Sequence, residues 1–203
     1  MPRIAGQIDE SKTEAILNAA SALFHEKGAT ASMDEIARRA GVSKQTLYNR
    51  FASKTDIGRA LSRRRSEDVT APLRAGGEPE AVLTALAASL IGRVCTPEKG
   101  ANLRGVALMS PEAPELARAV YEAGPGEALH RIADWLADQD AAGRLRVPDP
   151  LLAAEMFTGM ALGHAHLRSV LGLPHPEAHR TEARAAEAAK RFIRAFAPAP
   201  EQG

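Results

Sequence analysis

Polar side chains able to recognise another molecule are concentrated in residues 43–49, which read Ser-Lys-Gln-Thr-Leu-Tyr-Asn. At a helical period Leu47 points inward, and an amine, amides, a phenol and a hydroxyl remain on the outer face. Donors and acceptors of this kind suit phosphates and the base edges in the major groove of DNA. The stretch therefore predicts a surface that contacts nucleic acid.

The other reactive side chains form no catalytic or metal-binding pattern. His164 and His166 are two residues apart and so lie on different helix faces, and His175 and His179 lack a third ligand at zinc-site spacing. The single cysteine, Cys95, excludes an internal disulfide and is interpreted as a small buried side chain. The sequence also has no glycine-rich phosphate loop and no nucleophile motif. It predicts a protein that is not an enzyme and has no metal and no cofactor.

Two short helices must position the polar surface, and the sequence marks both. Ser32 and Glu35 predict a capping box at the start of the first helix, and Gly41 ends it in a tight turn. Ser43 then caps the second helix, which is expected to run to Phe51. The residues that face inward and set the helix angle are Ile36, Ala37, Ala40, Val42, Leu47 and Phe51. Because such helix pairs also occur in all-α proteins that bind no DNA, the pattern alone leaves both interpretations open.

The rest of the chain also shows a helical period, and no alternating run predicts a strand. One helix is expected from about Ser11 to Lys27, with an apolar stripe of Ile16, Ala19, Ala20, Leu23 and Phe24. Another is expected from Lys54 to about Pro72, capped by Ser53 with Asp56 in place of the usual Glu or Gln. A break follows at residues 74–79, and two long helices, Pro150–Leu171 and Pro176–Phe196, end the chain. The predicted fold is all-α, with about nine helices.

Charge is balanced over the whole chain, with 26 Lys and Arg against 25 Asp and Glu, but it is unevenly distributed. Residues 1–65 carry 12 basic and 7 acidic side chains, whereas residues 66–203 carry 14 and 18. The N-terminal segment is thus basic and the rest of the chain is acidic, as expected if the N-terminal segment binds phosphates. No stretch approaches the roughly 18 apolar residues of a membrane span, and no apolar leader begins the chain. These features predict a cytoplasmic protein with no membrane association.

The segment from about residue 15 to residue 57 resembles the TetR family of bacterial repressors. The motifs that carry the likeness are Leu23-Phe24-His25-Glu26-Lys27-Gly28, Met33-Asp34-Glu35-Ile36-Ala37, Ala40-Gly41-Val42-Ser43, Leu47-Tyr48, Phe51 and Lys54. The chain departs from the family at Asn49-Arg50, where a pair ending in histidine is more usual, and at Ala31, which follows Thr30 where a threonine is common. These departures leave the fold intact and bear on the choice of operator.

The resemblance assigns DNA contacts residue by residue. It implies that Lys44, Gln45 and Tyr48 approach DNA, with Gln45 able to bond an adenine edge and Lys44 a guanine. It also makes Lys54 a phosphate-binding lysine, and Tyr48 a backbone contact through its hydroxyl; the alternative for Tyr48 is a packing ring. The predicted DNA contacts are Thr30, Ser43, Lys44, Gln45, Thr46, Tyr48, Asn49 and Lys54. The run Arg63-Arg64-Arg65 is interpreted as a solvated face.

The segment from about Arg104 to Gly172 is similar to the regulatory domain of the AefR-like branch of that family. The likeness lies in Pro114-Glu115-Leu116-Ala117-Arg118, Tyr121-Glu122-Ala123-Gly124-Pro125, Gly143-Arg144-Leu145-Arg146, Asp149-Pro150 and Ala153-Ala154. It implies a homodimer through the last two helices, which would align two recognition helices with a palindromic operator. The candidate dimer residues are Leu151, Met156, Met160, Leu167 and Leu171, with Ala185, Ala189, Phe192 and Phe196.

The C-terminal part is accordingly interpreted as a domain that binds an unidentified small-molecule effector and dimerises. The candidate pocket residues are Arg93, Arg104, Met109, Tyr121, Trp135, Met156, Phe157, Met160 and His164. The alternative for each is ordinary core packing. The domain boundaries follow as residues 1–54 for the helix-turn-helix DNA-binding domain and residues 55–203 for the ligand-binding and dimerisation domain.

The predicted function is a ligand-responsive repressor that binds a double-stranded palindromic operator as a homodimer and is released by a small molecule. One alternative is a DNA-binding regulator whose activity is controlled by a protein partner. Another is an all-α enzyme in which the helix-turn-helix is incidental.

Overall fold

The structure is a computed structural model that describes residues 5–95, 103–108, 110–175 and 178–198. Across these ranges the protein is α-helical and contains no strand, which confirms the all-α prediction. The helices are α1 (Ala5–Lys27), α2 (Met33–Arg39), α3 (Lys44–Tyr48), α4 (Lys54–Val69), α5 (Ala71–Ala75), α6 (Pro79–Cys95), α7 (Pro114–Tyr121), α8 (Glu127–Ala141), α9 (Pro150–Leu162), α10 (Ala165–Leu171) and α11 (Thr181–Ala195). Residues 103–108 form a further helical segment.

Within the described ranges these eleven α-helices, besides the segment 103–108, exceed the predicted nine or so, mainly because two predicted helices are interrupted. The helix expected to continue to Pro72 ends at Val69, and α5 begins after Thr70 with its proline in the first turn, where no amide donor is needed. The helix expected over 150–171 breaks at Gly163, whose φ of 49° and ψ of −125° lie where only glycine is unstrained. A π-helical turn, Glu122–Gly126, contains Pro125 and joins α7 to α8.

The chain divides into two compact units. The first contains residues 1–64 and 105–124, and the second contains residues 65–104 and 125–203. The division falls within α4, so this helix contributes residues to both units.

The core of the first unit is built from the apolar faces of its first four helices. Its members are Ile16, Leu17, Ala20, Leu23, Ala31, Ile36, Ala37, Leu47, Phe51, Ile57 and Leu61. The predicted stripe of α1 is therefore inside, with Phe24 packed at its edge. A close helix approach completes the unit at Gly58, where a Cβ atom would lie 2.8 Å from Leu116 Cδ1 of α7. Small and buried positions thus fix where α2 and α3 sit on α1 and α4.

The core of the second unit surrounds α6, which packs most extensively against α11. Ala185, Ala188 and Ala189 on α11 are buried, and their small side chains let the two helices approach closely. Phe157 and Phe192 meet edge to face with ring centroids 5.2 Å apart, and Phe192 stacks on Phe196 at 4.4 Å.

The apolar strip, defined as Leu151, Leu152, Met156, Met160, Leu167 and Leu171, stands on the outside of α9 and α10. Each of these side chains is between 38% and 59% exposed. The prediction that Ala185, Ala189 and Phe192 join them at a dimer interface is wrong, because all three have 0% exposure in the chain's own core. The helical period of α11 places apolar residues on one face, and that face packs on α6 rather than outward.

None of the helices in the described ranges is long and apolar enough to cross a bilayer.

Candidate nucleic-acid interface

The short helix α3 is held by a capped turn and by one buried side chain. The Ser43 hydroxyl accepts a hydrogen bond from the Thr46 amide at 3.1 Å, as predicted for the helix start. Gly41 has a φ of 65°, a left-handed conformation that lets the chain reverse between α2 and α3. Leu47 has 0% exposure and anchors the helix in the core. The cap and this buried leucine together hold the five-residue helix in place.

Helix α2 has the predicted capping box. The Glu35 amide donates to the Ser32 hydroxyl at 3.2 Å, and the Ser32 amide donates to the Glu35 carboxylate at 2.9 Å. Lys27 at the end of α1 donates to the other oxygen of Glu35 at 2.5 Å. The hydrogen bond from Lys27, followed by those from Ser32, lowers the pKa of Glu35 from 4.5 to about 2.

The outer face of α3 carries the predicted base and phosphate contacts. Lys44, Gln45, Tyr48 and Asn49 are exposed, and the Tyr48 ring is 50% accessible although it adjoins buried Leu47. This exposure argues against the alternative of Tyr48 as a packing ring. The phenol, the amides and the amine therefore all face solvent, as direct base readout requires.

Three of the predicted hydroxyl contacts are already engaged within the chain. The hydroxyls of Ser43 and Thr46 lie 2.8 Å apart and share a hydrogen bond. The Thr30 hydroxyl donates to the backbone oxygen of Lys27 at 2.8 Å, in the 3-10 turn before α2. Each hydroxyl oxygen still has acceptor capacity, but these groups shape the turns in addition to any role at DNA.

Lys54 is the first residue of α4 and is partly buried. Ser53 caps this helix by accepting the Asp56 amide at 3.2 Å, and its hydroxyl donates to the Asp56 carboxylate at 2.9 Å. The predicted cap with Asp56 in place of Glu or Gln is confirmed. It places the lysine at a helix N-terminus, where partial positive charge adds to its own.

Three contacts at this surface were not predicted, and two of them join residues distant in sequence. The Lys44 amine lies 2.5 Å from the Asp34 carboxylate of α2, and both side chains are exposed. Arg50 donates to the Thr13 hydroxyl and to the Thr46 backbone oxygen, both at 3.3 Å, and so ties α3 to α1. Only the i, i+4 spacing between Arg50 and Thr46 was a signal that the sequence contained.

The Arg63-Arg64-Arg65 run has three different environments rather than one solvated face. Arg63 is exposed, and Arg64 pairs with both oxygens of Glu14 on α1, at 2.7 and 2.9 Å. Arg65 is partly buried.

The predicted pocket residues occupy very different positions. Phe157 is in the core and Trp135 packs at its edge, whereas Met156 and Met160 belong to the apolar strip. Tyr121 lies in the first unit and is 61% exposed. His164 and Arg104 are exposed, Arg93 is partly buried, and Met109 lies outside the described residues.

An open groove of about 570 Å³ runs along α6 and α11 in the second unit. Its lining is Glu78, Glu80, Ala81, Thr84, Ala85, Ala88, Glu182 and Ala185. None of the predicted pocket residues belongs to it. Within the described ranges, no three side chains of His, Cys, Asp or Glu come together as a metal site would require. His175 instead places Nε2 3.1 Å from the Ser169 hydroxyl.

Two family models match the chain, one on each side of the break after α5. The model for bacterial regulatory proteins of the tetR family matches residues 16–61. The model for the AefR-like transcriptional repressor C-terminal domain matches residues 81–198, which is more than half of the chain.

Two solved structures are similar along almost the whole chain. A TetR-family regulator from Mesorhizobium loti MAFF303099 is 28% identical, with 93% of this chain and 98% of that chain covered and a TM-score of 0.75. The flavonoid-responsive regulator FrrA is 33% identical over the same shares, 93% and 98%, with a TM-score of 0.70.

A curated relative matches only the N-terminal segment. The HTH-type transcriptional activator FasR of Mycolicibacterium smegmatis (strain ATCC 700084 / mc(2)155) is 43% identical over 60 residues. The match covers 29% of this chain and 27% of FasR.

The helix-turn-helix geometry of α2 and α3 and the two family matches agree on one assignment, which excludes the enzyme alternative. The chain belongs to the TetR family of DNA-binding transcriptional regulators, and its C-terminal domain is AefR-like.

Proposed function

We propose that this regulator is a repressor that binds a palindromic operator as a homodimer and is released by a small organic effector. The observation that carries the proposal is the outer face of α3, where Lys44, Gln45 and Tyr48 are exposed beside buried Leu47. A repressor of this kind acts on chromosomal DNA in the cytoplasm. We assign residues 1–54 to DNA binding and residues 55–203 to ligand binding and dimerisation.

The apolar strip on α9 and α10 supports the homodimer. Six large apolar side chains are exposed on two consecutive helices, and a concentration of exposed apolar side chains is typical of an interface. A two-fold axis through the strip would pair it with its own copy and give the dimer two α3 helices. Two α3 helices in one dimer suit two operator half-sites that are separated by about one turn of the DNA duplex or more.

Effector release requires that the effector binds one dimer geometry more tightly than the DNA-binding geometry. The effector can weaken operator binding only by the ratio of its affinities for the two dimer geometries. Operator DNA must in turn weaken effector binding by the same factor. The name of FrrA, a flavonoid-responsive regulator, supports response to a small organic molecule. Equal effector affinity with and without operator would contradict this mechanism.

The match to FasR, which is named an activator, favours a second candidate function, in which the same DNA-binding domain serves an activator of transcription. A reporter behind the operator separates the two, because deletion of the regulator raises expression under a repressor and lowers it under an activator.

The first experiment is to identify the operator, starting with the promoter region beside the protein's own gene. Fluorescence anisotropy with duplexes from that region should show one palindrome preferred by at least about a thousandfold over random DNA. Affinity should fall steeply with salt because phosphate contacts release counterions.

Replacement of Lys54 by alanine tests the phosphate contacts. Lys54→Ala should weaken binding to operator and random DNA alike and lower the slope of log affinity against log salt by about one. Lys190→Ala, which removes an exposed lysine from α11 in the second unit, is the matched control and should leave both unchanged. An unchanged salt slope in Lys54→Ala would remove Lys54 from the DNA contacts.

A further inference from the structure

Two arginines of the second unit meet where α6 reaches α4. Nη2 of Arg93 on α6 lies 3.4 Å from the backbone oxygen of Arg65, and the Arg65 side chain is partly buried. Burial, and after it the positive charge of Arg93, lower the pKa of the Arg65 guanidinium. The guanidinium stays protonated nonetheless, so the folded protein bears the cost of a poorly hydrated charge beside a like charge.

Nearby carboxylates neutralise the other arginines but not Arg65. Nε of Arg131 lies 2.9 Å from Glu127, and Nη2 of the same side chain lies 3.8 Å from Glu67. Arg93 approaches Asp68 only at 3.5 Å, and that aspartate is 65% exposed. Among the residues that the structure describes, Arg65 has no hydrogen-bonded or ion-paired carboxylate.

The next residue on α4 adds a second unsatisfied donor. Ser66 is 3% exposed, and its hydroxyl has no hydrogen-bond partner among the described residues. Buried polar groups in folded proteins are almost always hydrogen-bonded. This turn of α4 therefore contains a partly buried guanidinium with no carboxylate partner and a buried hydroxyl with no hydrogen-bond partner among the described residues.

Apolar core residues adjoin the arginine pair. Val69 follows Arg65 by one turn on α4, and Leu90 and Val94 lie beside Arg93 on α6; all three belong to the core of the second unit. On both helices, therefore, the arginine is close in sequence to residues of the apolar core.

We propose that Arg65 and Arg93 bind the carboxylate of a small organic effector whose remaining part is apolar. A planar carboxylate matches the fork of a guanidinium and would supply the missing negative charge. The inference rests on the proposed function in so far as the anion is the effector that releases DNA.

Binding of simple carboxylates and of their neutral amides to the full-length protein without DNA tests the site. The probes are benzoate against benzamide and hexanoate against hexanamide, measured by calorimetry. At least one carboxylate should bind wild type about tenfold more tightly than its amide, because a charge-assisted bond is lost in the amide. Arg65→Met should abolish that preference, and Arg65→Lys, which keeps the charge without the fork, should retain part of it.

The thermal stability of the ligand-free variants separates a binding role from a structural one. Arg65→Met should melt at or above the wild-type Tm, because it removes a partly buried charge that repels Arg93. Arg63→Met, the exposed neighbour on the same helix, is the matched control and should change neither Tm nor carboxylate preference. The proposal is overturned if neither carboxylate is preferred in wild type, or if Arg65→Met keeps the preference.

Operator binding distinguishes failure of the site from failure of the proposed function. If carboxylates bind through Arg65 but wild type prefers no palindrome, the repressor proposal fails and the anion site stands. If an effector releases DNA from wild type and from Arg65→Met equally, the repressor proposal stands and the anion site fails.

Discussion

At the residue scale, an ion pair within the chain already engages Lys44, the lysine proposed to contact DNA. The Lys44 amine is bound to Asp34, and this exposed pair must open if Lys44 is to reach a base or a phosphate. An exposed ion pair contributes little to stability, so its main effect is on the charge that DNA meets. We therefore expect Asp34 to oppose DNA binding, although it lies next to the proposed DNA-binding surface.

Replacing Asp34 by asparagine should tighten binding to DNA by about two- to fivefold at moderate salt, since one repulsive charge is removed and Lys44 is released. Anisotropy titrations on operator and random duplexes measure the change. Asp134→Asn removes an exposed carboxylate from α8 in the second unit and serves as the control that should leave affinity unchanged. Weaker operator binding by Asp34→Asn would show instead that Asp34 positions Lys44 for recognition.

At the element scale, local signals predicted where helices begin better than where they continue. The caps at Ser32, Ser43 and Ser53 were all predicted, because each depends on groups three residues apart. The break at Gly163 was not predicted, because a glycine within a helix is usually tolerated. It occurs where the Arg184 guanidinium from α11 binds the Ala161 backbone oxygen at 2.8 Å, a contact between distant parts of the chain.

The capping box of α2 gives the first unit a pH dependence with a defined sign. The pKa of Glu35 is lowered from 4.5 to about 2, so the ionised carboxylate stabilises the fold fully above pH 4.5. That contribution is lost as the pH falls from 4.5 toward 2. Glu35→Gln keeps the cap but loses the charge that binds Lys27.

The free energy of unfolding of Glu35→Gln should therefore be lower than that of wild type at pH 7, and the difference should shrink as the pH falls below 4.5. Urea unfolding at several pH values measures it. Glu155→Gln, an exposed position on α9, is the control and should show no such convergence. A difference that stays constant down to pH 3 would mean that the charge on Glu35 does not stabilise α2.

At the scale of the whole molecule, the apolar strip carries the proposed dimer. Leu167 on α10 is 55% exposed, and Leu108 in the first unit is 69% exposed, so they are matched leucines inside and outside the strip. Leu167→Glu places a charge in the interface twice, once from each protomer, and should raise the dimer Kd by about a hundredfold.

Sedimentation velocity over a concentration series measures that shift. Leu108→Glu should leave the dimer Kd unchanged. Operator affinity should fall with Leu167→Glu because one protomer presents only one α3. A wild-type protein that is monomeric at all concentrations, or a Leu167→Glu variant as dimeric as wild type, would contradict the strip as the interface.

The sequence by itself determined the all-α class, the family and the polar face of α3, because these depend on helical period, on caps and on residues close together in the chain. The expectation that Tyr48 stands outward beside buried Leu47 needed only the spacing of one helix. Only the tertiary structure decided which apolar stripe is covered, since Phe192 and Met156 are equally apolar in sequence, yet one has 0% exposure and the other 50%. It also brought Arg93 to Arg65 and Lys44 to Asp34. Such pairings depend on distances across the fold, and no local pattern encodes them.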